Sequence, residues 1–201
     1  MTFPMHYSRF CGLDKTQLQY VNTISYIVAD VSHIPKKMTK ITDFLYLGNF
    51  EDSTDVKTLK EEGITHILNT VDALYQNTRT GQGFYGPDFV YHGFTSQDEE
   101  SYPIMQHFKE TFDFIESARK ANGRCLIHCI AGINRSGCLA VAYLMASQNI
   151  GPISAVKIVF QKRGMLLSNT GFIERLVKFA VDRDLLFLDK EQLLNRFVVS
   201  E

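Results

Sequence analysis

Several things that would narrow a reading early are scarce in this sequence. The formal net charge is −1 at pH 7, with 21 Lys and Arg against 22 Asp and Glu. No basic stripe runs through the chain, so nucleic acid is not favoured as a bulk electrostatic partner. No apolar run approaches the roughly 20 residues of a membrane span, and no membrane association is expected. The opening residues, MTFPMHYSRFCGLDKTQ, lack the apolar segment of a secretion signal. Internal repeats and low-complexity tracts are absent. Four cysteines (Cys11, Cys125, Cys129 and Cys138) in a chain able to form a sizeable core do not suggest a disulfide framework. Cys125 and Cys138 sit in apolar runs as small hydrophobes; a role for either as a resolving thiol for an oxidised Cys129 is the lesser reading, since nearness in sequence does not give disulfide geometry. His6, His33, His66, His92 and His107 show no ligand spacing, so no metal is expected. These absences together point to a reducing compartment, cytoplasm or nucleus.

What is present is enough for one core. With 201 residues, 45% of them hydrophobic, the chain reads as a single folded body. A capping-box pattern at Asp14-Lys15-Thr16-Gln17, followed by Leu18, Val21, Ile24, Ser25 and Val28, predicts a helix over about 14–29. It belongs to a helical extension, residues 1–40, packed on the core rather than positioning substrate. Helix, glycine and strand then alternate from Ile41 onward. Strands are predicted at 44–48, 64–69, 89–94 and 124–127, and helices at 58–63, 104–121, 138–145, 152–163 and 170–183. That grammar predicts an α/β fold, a central, mostly parallel twisted sheet of about five strands with helices on both faces. Residues 76–88 read as a loop from their Gly, Asn, Thr and Pro content. Its aromatics Tyr75, Phe84 and Tyr85 are read as tacking the loop to the sheet, with a rim for an aromatic substrate as the alternative. The catalytic body is bounded at 41–185, with 186–201 as a tail in which Lys190–Val199 forms a last short helix or frays.

The most informative stretch is His128-Cys129-Ile130-Ala131-Gly132-Ile133-Asn134-Arg135-Ser136-Gly137. It joins a buried strand to a buried helix, with five residues between cysteine and arginine. A strand, a tight loop and a helix N-terminus converge backbone N–H groups on one point, and the helix dipole adds to them. A cysteine in such a cradle is held as thiolate, and a guanidinium presents a planar fork that matches two phosphate oxygens. Phosphate chemistry needs one more part, an acid for the departing oxygen. Asp98, Glu99 and Glu100 all lie in the segment after a strand, at the sheet edge where ligands bind in α/β folds, and spacing does not choose among them.

The run HCIAGINRSG, with Ala142-Tyr143-Leu144-Met145 downstream, resembles the signature of the cysteine-dependent dual-specificity protein phosphatases. Ile41 to Asn49, Gly63 to Asn69 and Asn169-Thr170-Gly171-Phe172 resemble further segments of that family, and the likeness covers roughly Ile41 to Ala180. It implies a protein-tyrosine-phosphatase-like fold of the small type without a docking domain. It also implies hydrolysis of phosphotyrosine, phosphoserine and phosphothreonine on a phosphorylated protein substrate. By that resemblance the acid is Asp98, six residues before Ile104 and about thirty before the cysteine. Cys129 then attacks phosphorus, while Arg135 and the backbone of Ile130, Ala131, Gly132, Ile133 and Asn134 hold the phosphate. Ser136 stabilises the departing thiolate, His128 orders the loop and Asn169 props it from behind. No cofactor is implied, and the chain is expected to be a monomer or a homodimer. Two residues depart from the pattern: Asn134 where many members have serine, and Ser168 in place of a proline. The asparagine also occurs in RNA 5′-phosphatases of the superfamily, which makes that activity one alternative. A phosphoprotein-binding pseudo-phosphatase is the other. The uncharged Ile130, Ala131, Ile133 and Asn134 turn the reading away from inositol lipids.

Overall fold

Alternating side chains on short strands decide which helices cover which face of the sheet. The computed structural model describes residues 12–31, 33, 35–72 and 80–189. Within them β1 (Thr39–Lys40), β2 (Leu45–Gly48), β3 (His66–Asn69), β4 (Val90–Gly93) and β5 (Cys125–His128) form one sheet, ordered β1-β2-β5-β3-β4. Four strands are parallel, and β1 runs antiparallel along the edge of β2. Parallel neighbours need crossovers, and helices supply them. After α1 (Lys15–Ala29) come α2 (Phe50–Thr54), α3 (Val56–Glu61), α4 (Gln82–Tyr85) and α5 (Phe108–Lys120). The chain closes with α6 (Arg135–Gln148), α7 (Pro152–Arg163) and α8 (Thr170–Val181).

Leu45, Leu47, Leu68, Cys125 and Ile127 face one way, into a cluster shared with α1, α5, α6, α7 and α8. Tyr46, Ile67 and Leu126 face the other way, onto Leu59 of α3, Tyr85 of α4 and Phe89. The sheet is thus covered on both faces at its centre, which is why β2, β3 and β5 are buried along their whole length, while the edge strands β1 and β4 stay partly exposed. Helix α6 is buried without a break from Arg135 to Met145, as a helix apolar all round must be. Register sets Gly48 and Asn69 both opposite His128, and Asn69 opposite Gly93. The loops leaving β2, β3, β4 and β5 therefore open at one level, on the carboxyl edge.

The N-terminal helix is fastened to this body. Its capping box is formed, Asp14 accepting from the Gln17 amide at 2.8 Å and the Gln17 side chain from the Asp14 amide at 3.3 Å. Tyr20, Val21, Ile24 and Val28 belong to the same buried cluster as α6, and the Tyr20 hydroxyl donates to the Leu186 carbonyl. Among the described residues no helix is long and apolar enough to cross a membrane.

The structure differs from the sequence expectations at a few places. Strand β1 lies just before the expected boundary at 40/41; two residues carry no periodicity, and pairing of Thr39 with Leu47 is what makes them a strand. Helix α6 begins at Arg135, three residues before the expected start, because the apolar run begins later than the helical backbone does. Short α4 falls inside the expected loop 76–88. There Tyr85 is buried, stacks on Tyr91 with ring centroids 5.5 Å apart and donates to the Ser53 carbonyl at 2.9 Å. It is a tack on the sheet and not a rim. Tyr75, Cys11, His6 and the tail from residue 190 lie outside the described residues.

Candidate active site

The loop between β5 and α6 is shaped by where its carbonyls go. Ile130 O accepts from the Phe50 amide at 3.0 Å and Ile133 O from the Leu167 amide at 3.2 Å. Gly132 O accepts from Arg163 Nε at 3.3 Å. With these carbonyls turned outward, the N–H groups of the same peptides are free to face inward. Gly132 sits at φ +67°, and a Cβ there would stand 2.5 Å from Gly48 O and from Arg163 Nη2. Only glycine meets both demands at this bend.

Cys129 lies at the floor, 1% exposed. Its Sγ accepts from the Gly132 amide and from Ser136 Oγ, each at 3.2 Å. Both donors are aimed at the sulfur. Arg135 opens α6 with a buried side chain. One arm is anchored, Nη1 donating to the Ser96 carbonyl at 3.2 Å, while Nε is buried with no hydrogen-bond partner among the described residues. A guanidinium fixed at one corner with a buried donor to spare is ready for an oxyanion. His128, wholly buried on β5, has Nδ1 3.3 Å from the Cys129 carbonyl, and its own carbonyl accepts from the Thr70 amide and hydroxyl, both at 3.0 Å. Burial pushes its pKa down to about 4, so the ring is neutral and serves as a strut.

The loop after β4, which carries Asp98, reaches the cradle. Asp98 Oδ2 accepts from Asn134 Nδ2 at 3.1 Å and Oδ1 from Asn169 Nδ2 at 2.8 Å. Arg135 Nε is 3.9 Å from Oδ2. Glu100 instead accepts from Thr170 Oγ1 at 2.9 Å. Asn169 caps α8, its side chain accepting from the Phe172 amide. It approaches the cradle from the Asp98 side, whereas the residue that holds the loop from behind is Arg163. Gly171 permits this junction: a Cβ there would stand 2.1 Å from the Glu100 carbonyl.

Arg163 is the functional neighbour that sequence reasoning missed. It is 1% exposed and, besides Gly132 O, its Nη1 donates at 3.0 Å to Lys37 O, Thr39 Oγ1 and Leu47 O. In sequence it is one more basic residue before a helix-ending glycine, with no local signal of its reach. Burial raises the Cys125 and Cys138 thiols far above their ordinary pKa, which makes both poor resolving thiols. Among the described residues no three His, Cys, Asp or Glu side chains gather into a metal site.

A covered parallel sheet whose β5–loop–α6 turn sets a thiol against backbone amides beside an arginine defines a protein-tyrosine-phosphatase-like α/β protein. More narrowly, the chain belongs to the dual specificity phosphatases, whose catalytic domain matches residues 45–182. Dual specificity protein phosphatase 22-A of Danio rerio is 36% identical over 142 residues, covering 71% of this chain and 64% of the relative. Dual specificity protein phosphatase 15 of Mus musculus is 34% identical over 142 residues, covering 71% of this chain and 57% of the relative. A solved structure of DUSP15 aligns with a TM-score of 0.65 at 33% identity, over 83% of this chain and 100% of that one. The matched region is less than two thirds of the length of those two curated relatives.

Proposed function

We propose that this chain hydrolyses phosphotyrosine and phosphoserine or phosphothreonine on proteins through a phosphocysteine intermediate. The observation that carries the reading is the joint placement of Cys129 Sγ under two donors, Arg135 with a buried Nε that faces Asp98 at 3.9 Å without a hydrogen bond, and Asp98 bound within the same cluster. Cys129 thiolate attacks phosphorus as the ester P–O bond breaks, and Asp98 gives its proton to the leaving oxygen. Arg135 and the inward amides of 130–135 hold the equatorial oxygens. Water then attacks the phosphocysteine and passes a proton to the Asp98 carboxylate, while Ser136 Oγ–H stabilises the returning thiolate. Membership in the family and the relatives' names support a phosphorylated protein as substrate. The buried, free Cys125, Cys129 and Cys138 support a reducing compartment, cytoplasm or nucleus.

Phosphate release from an aryl phosphate in the presence of a chelator, followed by a panel of the three phosphoresidues in peptides, tests the reading. Cys129→Ser is expected to abolish turnover and keep phosphopeptide binding. Asp98→Ala is expected to lower kcat by roughly 10²–10⁴-fold. Binding without turnover by the unaltered chain would replace this reading with that of a pseudo-phosphatase. Release from a 5′-triphosphorylated RNA but not from any peptide would replace it with the RNA activity.

A further inference from the structure

Asn134 stands at the N-cap of α6, a position where asparagine ordinarily accepts from the amides of the first turn. Its side chain makes no such bond. Instead Oδ1 accepts from Ser168 Oγ and from the Asn169 amide, both at 3.1 Å, and Nδ2 donates to Asp98 Oδ2, also at 3.1 Å. The network fixes which end is which. A flipped amide would set a carbonyl oxygen against the carboxylate and an NH2 against the Asn169 N–H, losing both of those bonds, while the Ser168 hydroxyl can serve either orientation. Two effects follow from this orientation. The first amides of α6 are left without a side-chain cap and stay open to an oxyanion. The loop that carries the nucleophile also grips the carboxylate of a different loop, by a bond shorter than the 3.9 Å from Arg135 Nε to the same oxygen.

Resting on the mechanism above, we infer that Asn134 is a positioning residue for proton transfer. It holds Asp98 where its carboxyl meets the leaving oxygen; the Asn169 amide keeps its side chain turned that way, and the Ser168 hydroxyl adds a second hydrogen bond to the same oxygen. This gives a role to both residues that depart from the family pattern. Ser168 supplies, in place of a proline, the hydroxyl that makes this second bond.

The test compares two aryl phosphates on the full chain. Phenyl phosphate has a poor leaving group and depends on a proton donor; 2,4-dinitrophenyl phosphate has a good one and does not. Asn134→Ala is expected to lower kcat on phenyl phosphate by about 10- to 100-fold, inside the span of general-acid effects, and on the dinitrophenyl ester by no more than about twofold. Ser168→Ala removes one exposed hydroxyl and leaves the fold intact. It is expected to show the same pattern at about two- to fivefold. Added to Asp98→Ala, Asn134→Ala is expected to change neither rate further, as for residues acting through one proton. Equal losses on both esters would assign Asn134 to the cradle and overturn the inference, as would no loss on either, or a further loss in the Asp98→Ala background. Should Asp98→Ala itself slow both esters alike, the acid assignment fails and takes the inference with it, a result distinct from a failure of Asn134 alone.

Discussion

Arg163 closes α7, where a basic side chain ordinarily does no more than face the helix C-terminus. Here its guanidinium turns inward and joins Gly132 of the cradle to Lys37, Thr39 of β1 and Leu47 of β2. Four acceptors on three segments, three of them around Nη1 and the fourth at Nε, need two donor nitrogens held in a fixed plane, which lysine lacks. Arg163→Lys is therefore expected to lose stability on the order of 3 kcal/mol, in line with hydrogen bonds from a buried charged group. The same variant should raise KM for an aryl phosphate, because the Gly132 carbonyl is no longer held outward. Denaturant unfolding beside steady-state kinetics checks both, and a lysine variant matching the parent in both would refute the staple. At this scale the sequence was legible where chemistry is contiguous. The residues from His128 to Gly137 announce a nucleophile and a clamp in one line of text. Arg163 and the Asn134–Asp98 bond join residues 31 and 36 apart, and nothing local marks them.

At the scale of elements, the junction of α8 with the loop after β4 is the part most sensitive to one atom. Gly171 lies in the first turn of α8 and presses on the Glu100 carbonyl. Gly171→Ala sets two effects against each other. Helix propensity gains about 1 kcal/mol, and overpacking costs about 1–3 kcal/mol. Stability should thus fall by up to about 2 kcal/mol, while the loop after β4 is pushed from the cradle and kcat on a poor leaving group falls by at least about tenfold. A melting temperature and a rate on phenyl phosphate measure the two sides, and an unchanged rate would show that the loop yields without moving Asp98. Most elements were legible from periodicity, since α1, α3, α7, α8 and the four parallel strands each carry a clear apolar pattern or cap. The edge strand β1 and short α2 and α4 were not. Their two to five residues are too few for a period, and they owe their form to the neighbours they touch.

The whole molecule should weaken on the acid side of neutrality. His128 is buried neutral, its pKa moved by desolvation from 6.5 to about 4. Between those values the unfolded chain binds a proton that the folded one refuses, so stability falls as pH drops through the window. From pH 7 to pH 5 this one residue removes about 2 kcal/mol. Glu110 acts in the same direction at lower pH. Burial raises its pKa, but hydrogen bonds from His107 and His92 outweigh that and hold it below its ordinary value. Its contribution is present above the unfolded pKa and is lost as pH falls through the folded one. Urea titrations at pH 7 and pH 5 test the first effect, and His128→Asn should flatten the difference. An equally steep fall in that variant would move the cause elsewhere. The outward carbonyls of the cradle bear on how such a series is run. On the proposed function this loop receives the phosphate, and a ligand that binds only the folded chain adds about 1.4 kcal/mol for each tenfold excess over its dissociation constant. The buffer salt then enters the folding equilibrium, and a melting temperature taken in phosphate or sulfate is expected to stand above one taken in chloride.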